Sequence, residues 1–132
     1  MESNIDLSTQ GKEIFQELFN NIADKWNDGD RMPYINFCTD NSVYKVPHSE
    51  LIIGRDAIKD FVLSFPDVKS RYTIEEVFGK PEQAVVRGSY ILNNSDGSPM
   101  DKGKFLSVCI LTDDGEWKQT HTIWNSDLPV PD

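Results

Sequence analysis

His48 and His121 are the only imidazoles in the chain. An unperturbed imidazole titrates near neutrality, so these two are the first candidates for general acid–base catalysis. His48 follows Pro47 in a polar loop, His48-Ser49-Glu50, whereas His121 stands in a run of β-forming residues near the C-terminal end. Carboxylates are plentiful, but none forms a convincing catalytic pair. Asp40, Asp56, Asp67 and Asp101 fall at expected turn or cap positions, where carboxylates are normally structural. Glu75-Glu76 on a strand sends one carboxylate to each face, so one of them is expected to point inward. Arg87, inside an apolar run, needs a carboxylate partner or solvent. Tyr44 and Tyr90 can offer hydroxyls to a ligand. Cys38 and Cys109 lie in apolar contexts without a basic neighbour, which predicts buried, unpaired, unreactive thiols. No Cys/His spacing fits a zinc site, and neither a Gly-rich phosphate loop nor a nucleophile elbow occurs. No metal and no cofactor is expected.

Composition narrows the partners. The 132 residues predict one domain with a sizeable core, and 38% hydrophobic with 27% charged content is ordinary globular chemistry. A net charge of −9 argues against nucleic acid or an anionic membrane as partner, because both are bound through basic clusters. The N-terminus has neither the basic start nor the apolar core of a signal peptide. No apolar run approaches the ~20 residues of a membrane helix. A cytoplasmic protein is the expectation.

Local patterns give the elements that must position these groups. Leu7, Ile14, Phe15, Leu18, Phe19, Ile22 and Trp26 recur at helical spacing, predicting a helix of about five turns capped by Asp6 or Ser8. Gly29 ends it, Asp30 caps a short second helix, and Pro33 falls in that helix's first turn. Thr39-Asp40-Asn41 reads as a turn, Ser42 to Pro47 as a short strand, and Leu51-Ile52-Ile53 as a few strand-like residues. A third helix buries Ala57, Ile58, Phe61, Val62 and Phe65 and stops at Pro66. Strands follow over Val68 to Phe78 and Ala84 to Leu92, and then a hairpin runs from Asp101 to Pro129. Three helices followed by a run of strands is an α+β pattern.

The hairpin is the centre of the sheet. Its first arm, Phe105 to Leu111, is apolar on both faces and must be covered on both. Phe105, Cys109 and Leu111 form one face; Leu106, Val108 and Ile110 form the other. Helices can cover only the first, so the second is expected to form a homodimer. The turn at Asp113-Asp114-Gly115 allows two registers. A two-residue Asp114-Gly115 loop places Phe105, Ser107 and Cys109 on one face with Thr120, Thr122 and Trp124. A three-residue bulged loop slips the register by one and sets Ser107 opposite His121.

The order of elements resembles the nuclear transport factor 2-like superfamily, which includes ketosteroid isomerases and SnoaL-like polyketide cyclases. Asn27-Asp28-Gly29-Asp30 looks like the family's helix-one ending, and Gly54-Arg55-Asp56-Ala57-Ile58 like its entry to helix three. Asp101-Lys102-Gly103-Lys104-Phe105, Gly115-Glu116-Trp117-Lys118 and Ile123-Trp124-Asn125-Ser126-Asp127 look like a SnoaL-like subgroup of largely unknown function. The resemblance spans about residues 8–129. It implies a cone: a curved antiparallel sheet packed on three N-terminal helices, with a pocket open at one end. It also favours the two-residue register, with Thr122 and Trp124 in the pocket and His121 outside.

The isomerase chemistry that the resemblance would bring is missing at its matched places. Val46 stands for the carboxylate base, Ile22 for the tyrosine donor, and Ser107 near the buried acid. Thr122 stands for the SnoaL-like acid and Cys109 for that subgroup's usual Trp. Under the implied cone, Trp26, Tyr44, Phe61, Phe65, Phe105, Ser107, Thr122 and Trp124 form a pocket of aromatic and hydroxyl character, and the His48 loop borders its rim. Three roles follow. The first is a protein that binds a small hydrophobic or aromatic molecule. The second is an isomerase, cyclase or dehydratase acting on a small carbonyl compound with a His base. The third is a dimerisation module with a filled cone.

Overall fold

The computed structural model describes residues 7–129, apart from the side chain of residue 8. Asp6 and the Ser8 side chain, the expected caps, lie outside the described residues. A wide helical turn, Leu7–Gly11, leads into α1, Lys12–Asn27. Phe15, Phe19, Ile22 and Ala23 are its buried positions, the i, i+4, i+7, i+8 stripe of an amphipathic helix. Gly29 takes a positive φ of 94° and lets the chain reverse after the helix. The Asp30 carboxylate accepts from the Met32 N–H at 3.1 Å, starting α2, Met32–Asn36. The third helix, α3, spans Arg55–Leu63 and ends three residues before Pro66.

Six strands make one sheet: β1 Cys38–Lys45, β2 Ile52–Ile53, β3 Val68–Lys80, β4 Gln83–Asn94, β5 Pro99–Leu111 and β6 Trp117–Ser126. Their order is β2-β1-β6-β5-β4-β3, which puts the β5–β6 hairpin in the middle. All neighbours are antiparallel except β1 and β6, which run parallel. Thr39-Asp40-Asn41 is not a turn. It belongs to β1, whose pairing with β6 is irregular between Cys38 and Val43. The three helices lie on the concave face. Their apolar stripes meet the inward residues of the strands in two adjoining core clusters, one around Phe15, Phe19 and Phe105, the other around Tyr44, Ile58 and Val62.

β3 is an edge strand, and α1 satisfies part of that edge with side-chain amides. Gln16 accepts from the Ile74 N–H at 2.7 Å and donates to the Tyr72 carbonyl at 2.9 Å. Three turns further along, Asn27 accepts from the Ser70 N–H at 2.8 Å and donates to the Ser70 carbonyl at 3.0 Å. Each amide imitates a neighbouring strand. The exposed template that an unpaired edge would otherwise present is closed at those points.

Register shifts decide which residues face the helices. β3 is irregular between Ile74 and Glu76, so both Glu75 and Glu76 are exposed. They pair with Arg87 at 3.4 and 3.0 Å. The expected inward carboxylate is therefore absent, because the bulge turns Glu75 out beside Glu76. Asp101 also departs from expectation. It lies within β5, accepting from Tyr90 Oη at 2.9 Å and from Ser126 Oγ at 2.6 Å.

Candidate functional site

A partly enclosed cavity of about 70 Å³ lies between the helices and the concave face of the sheet. That is room for roughly five waters or one small ring. From α1 come Phe19 and Trp26, from α2 Tyr34, and from α3 and the turn after it Phe61, Val62 and Phe65. Across from them β3 and β4 contribute Ser70, Tyr72, Tyr90 and Leu92. The central hairpin adds Phe105, Ser107, Gln119, Thr122 and Trp124. Nine of these fifteen side chains are aromatic, and none carries a formal charge.

The rings hold one another mostly edge to face, the arrangement their quadrupoles favour. Trp26 meets Tyr34 at 5.8 Å and Phe65 at 6.1 Å between centroids, and Phe61 meets Trp124 at 6.2 Å. Phe19 instead stacks on Phe105 at 5.4 Å. Gly88 makes that stack possible. A Cβ there would come within 2.7 Å of the Phe105 ring and 2.5 Å of the Thr73 carbonyl oxygen.

Arg31 locks one end of the cavity. Its guanidinium lies 4.3 Å over the Trp26 ring. It donates to the carbonyls of Val62, Phe65 and Pro66 at 2.8, 2.7 and 3.1 Å. A planar fork can serve several carbonyls while stacking on an indole; an ammonium cannot. Trp26 is fixed from its other side by a 2.9 Å hydrogen bond from Nε1 to the Val68 carbonyl.

The polar wall is a connected chain. Ser107 Oγ lies 2.8 Å from both Thr122 Oγ1 and Gln119 Oε1. Gln119 Nε2 donates to Tyr44 Oη at 3.3 Å, and Tyr44 Oη lies 3.1 Å from Cys38 Sγ, which reaches the Tyr34 carbonyl at 3.6 Å. With protons running from Thr122 through Ser107, Gln119, Tyr44 and Cys38, every link has one donor and one acceptor. Ser70 Oγ is the exception. It is the one buried side-chain N or O among the described residues without a hydrogen-bond partner.

No lining group is poised to ionise near neutrality. Burial pushes the phenol of Tyr34, and that of Tyr44 behind the wall, well above their ordinary value. Tyr72 is pushed up to about 12 by burial. The neighbouring Ser70 hydroxyl opposes that shift without reaching hydrogen-bonding geometry. Burial raises Tyr90 as well, helped by the Asp101 carboxylate that accepts its proton. Cys38 and Cys109 are buried and unpaired, and burial raises both thiols. Among the described residues, no group of three or more His, Cys, Asp or Glu converges as a metal site would. No helix among them is long and apolar enough to cross a membrane.

Seven of the eight expected pocket residues line the cavity: Trp26, Phe61, Phe65, Phe105, Ser107, Thr122 and Trp124. Tyr44 does not. It is fully buried behind the polar wall, where its hydroxyl serves Gln119 and Cys38. Neither histidine lines the cavity. His48 is exposed in its loop at a positive φ of 59°, and no residue of the loop after Pro47 is among those lining the cavity. His121 is exposed on the outer face opposite Val108, with Nδ1 3.0 Å from Thr120 Oγ1.

Both hairpin registers occur, in different parts of the same hairpin. Near the turn, Leu111 pairs with Trp117 and Cys109 with Gln119, the three-residue-loop register. An irregularity between Val108 and Cys109 then restores the other register, pairing Ser107 with Thr122 and Phe105 with Trp124. Gln119 thus takes the inward place expected of Thr120. Simple alternation from Thr122 would point it outward. Ser70 and Tyr72 are inward members of the Val68-Ser70-Tyr72-Ile74 alternation, a pattern that is legible in the sequence.

No protein-family model matches the chain, and no curated protein matches it in sequence. Solved structures do match. A ketosteroid isomerase-like protein from Erwinia carotovora atroseptica is 19% identical, with a TM-score of 0.74 over 92% of this chain and 99% of that one. A protein of unknown function with a cystatin-like fold from Nostoc punctiforme is 12% identical, with a TM-score of 0.75 over 96% and 98%. An NTF-2-like protein of unknown function from Shewanella oneidensis is 20% identical, with a TM-score of 0.71 over 86% and 98%. The chain has the nuclear transport factor 2-like, cystatin-like fold: a curved sheet wrapped on three helices around a cavity.

Proposed function

We propose that this protein binds a small, neutral, hydrophobic or aromatic molecule in the cavity and does not perform isomerase-type proton transfer on it. One observation carries the reading: the lining is aromatic-rich and wholly uncharged, with four non-phenolic polar side chains, Ser70, Ser107, Gln119 and Thr122. Ligand sites are typically apolar concavities with a few placed polar groups. Proton transfer near neutrality calls for a base or acid of matched pKa. Here the carboxylate and imidazole side chains stand outside the lining, and the phenols are pushed away from neutrality by burial.

Trp26 and Trp124 are built-in reporters, because both line the cavity. Titrating toluene into the protein should change tryptophan emission saturably. The Trp124→Phe variant should lose a large part of that change, and His121→Ala should keep it. A linear, unsaturable response would overturn the binding reading. Rapid isomerisation of a β,γ-unsaturated ketone, abolished by His48→Ala, would overturn the non-catalytic half.

A further inference from the structure

We propose that Ser70 is the specificity-determining donor of the cavity and that the molecule bound there carries a carbonyl, or a comparable neutral acceptor, directed at its hydroxyl. The inference rests on the ligand-binding reading and names the ligand class for the same site. Ser70 is 2% exposed and lines the cavity. Its backbone N–H and carbonyl are both engaged by Asn27, so the residue is held at two points. Its hydroxyl alone has no partner.

A buried hydroxyl without a partner is a cost that folded proteins rarely leave standing. The other three non-phenolic polar side chains in the wall differ. Ser107, Gln119 and Thr122 already bond one another, and Tyr90 gives its proton to Asp101. Among the non-phenolic hydroxyls of the lining, Ser70 alone therefore has an O–H without a hydrogen-bond partner. A ligand acceptor placed there satisfies the hydroxyl. An apolar ligand of the same shape displaces any water and strands it, and sites built around such a group reject analogues that lack the matching atom. The uncharged lining excludes a carboxylate as the acceptor, because an anion buried there would have no countercharge.

Acetophenone and α-methylstyrene test this, since they differ chiefly in a C=O replaced by C=CH₂. Binding is read by tryptophan emission in the unmodified protein and in Ser70→Ala. The alanine variant should fold normally, as the hydroxyl makes no hydrogen bond and the backbone contacts with Asn27 remain. The unmodified protein should bind acetophenone about five-fold more tightly, the equivalent of roughly 1 kcal/mol for one neutral hydrogen bond. Ser70→Ala should bring the two affinities together while leaving that for α-methylstyrene unchanged or improved. A preference that survives in Ser70→Ala, or equal binding of both probes by the unmodified protein, overturns the role of Ser70 and leaves the binding reading standing. Failure of both probes to bind either protein overturns the binding reading and this inference with it.

Discussion

Ser107 Oγ sits 2.8 Å from Gln119 Oε1, although the two residues are not paired across the hairpin. Ser107 pairs with Thr122, and Gln119 with Cys109. The contact exists because the irregularity in β6 brings Gln119 onto the concave face, where Nε2 also reaches Tyr44. One amide thus joins the cavity wall to the core beneath it.

Removing that amide should be costly. Gln119→Ala leaves Tyr44 and Ser107 short of a partner each, and an unsatisfied buried polar group costs roughly 1–3 kcal/mol. His121→Ala, two residues away but exposed, should stay within about 0.5 kcal/mol of the parent. Urea unfolding monitored by circular dichroism measures both. Equal effects would contradict the bulged register.

Arg31→Lys should loosen the end of the cavity. Lysine keeps the charge but cannot serve three carbonyls while stacking on Trp26. The expected loss is roughly 1–2 kcal/mol in unfolding free energy, with a shift in tryptophan emission as Trp26 gains contact with water. Unchanged emission and stability would show that the clamp is dispensable.

All four tyrosines have phenols raised by burial. A raised folded-state value means that the native protein holds the proton after the unfolded chain would lose it. The stabilisation is complete below the unfolded value of about 10 and is lost as pH rises towards the folded value, about 12 for Tyr72. Tyrosinate absorbance should therefore stay low just above pH 10 and then appear together with loss of native circular dichroism. Smooth ionisation of several tyrosines in a still-folded protein would disagree.

Cys38 and Cys109 are fully buried, with raised thiol values. A thiol reagent should label neither at neutral pH in the folded protein and both in denaturant, because the thiolate is the reactive form and here it is both scarce and inaccessible. Rapid labelling of either under native conditions would show that the core opens more readily than its packing suggests.

The outer face of the sheet should form a homodimer. Leu106 pairs with Ile123 across β5 and β6, and the two are 41% and 42% exposed. Beside them Phe78, Val85 and Val108 form a second apolar row across three strands, with Phe78 50% exposed. A patch of this kind is uncommon on a monomer surface. Sedimentation at micromolar concentration should give twice the chain mass, and Leu106→Glu with Ile123→Glu should give the single mass. A parent protein that sediments as a monomer would end the proposal.

The order of elements was legible in the sequence because local periodicity encodes it. The i, i+4, i+7 stripe of α1, the breaks at Gly29 and Pro66, and the two apolar faces of β5 each follow from neighbouring residues alone. Alternation also set Phe105 and Ser107 on one face, and the family resemblance chose the register that brings Thr122 and Trp124 beside them. What the sequence did not reveal begins where a strand leaves strict alternation. The irregularities beside Glu75 and Thr120 each reverse the facing of the residues on one side of them. Gln119 therefore enters the wall, Glu75 leaves it, and one hairpin holds two registers. Arg31 and Ser70 are of the same kind. The guanidinium is read through carbonyls 31 to 35 positions away, and the hydroxyl through the absence of any partner in the finished core. Pattern along a chain reports which way a side chain points. Only the packed structure decides what it meets there, because hydrogen bonds and ring contacts depend on distances between segments that the sequence does not bring together.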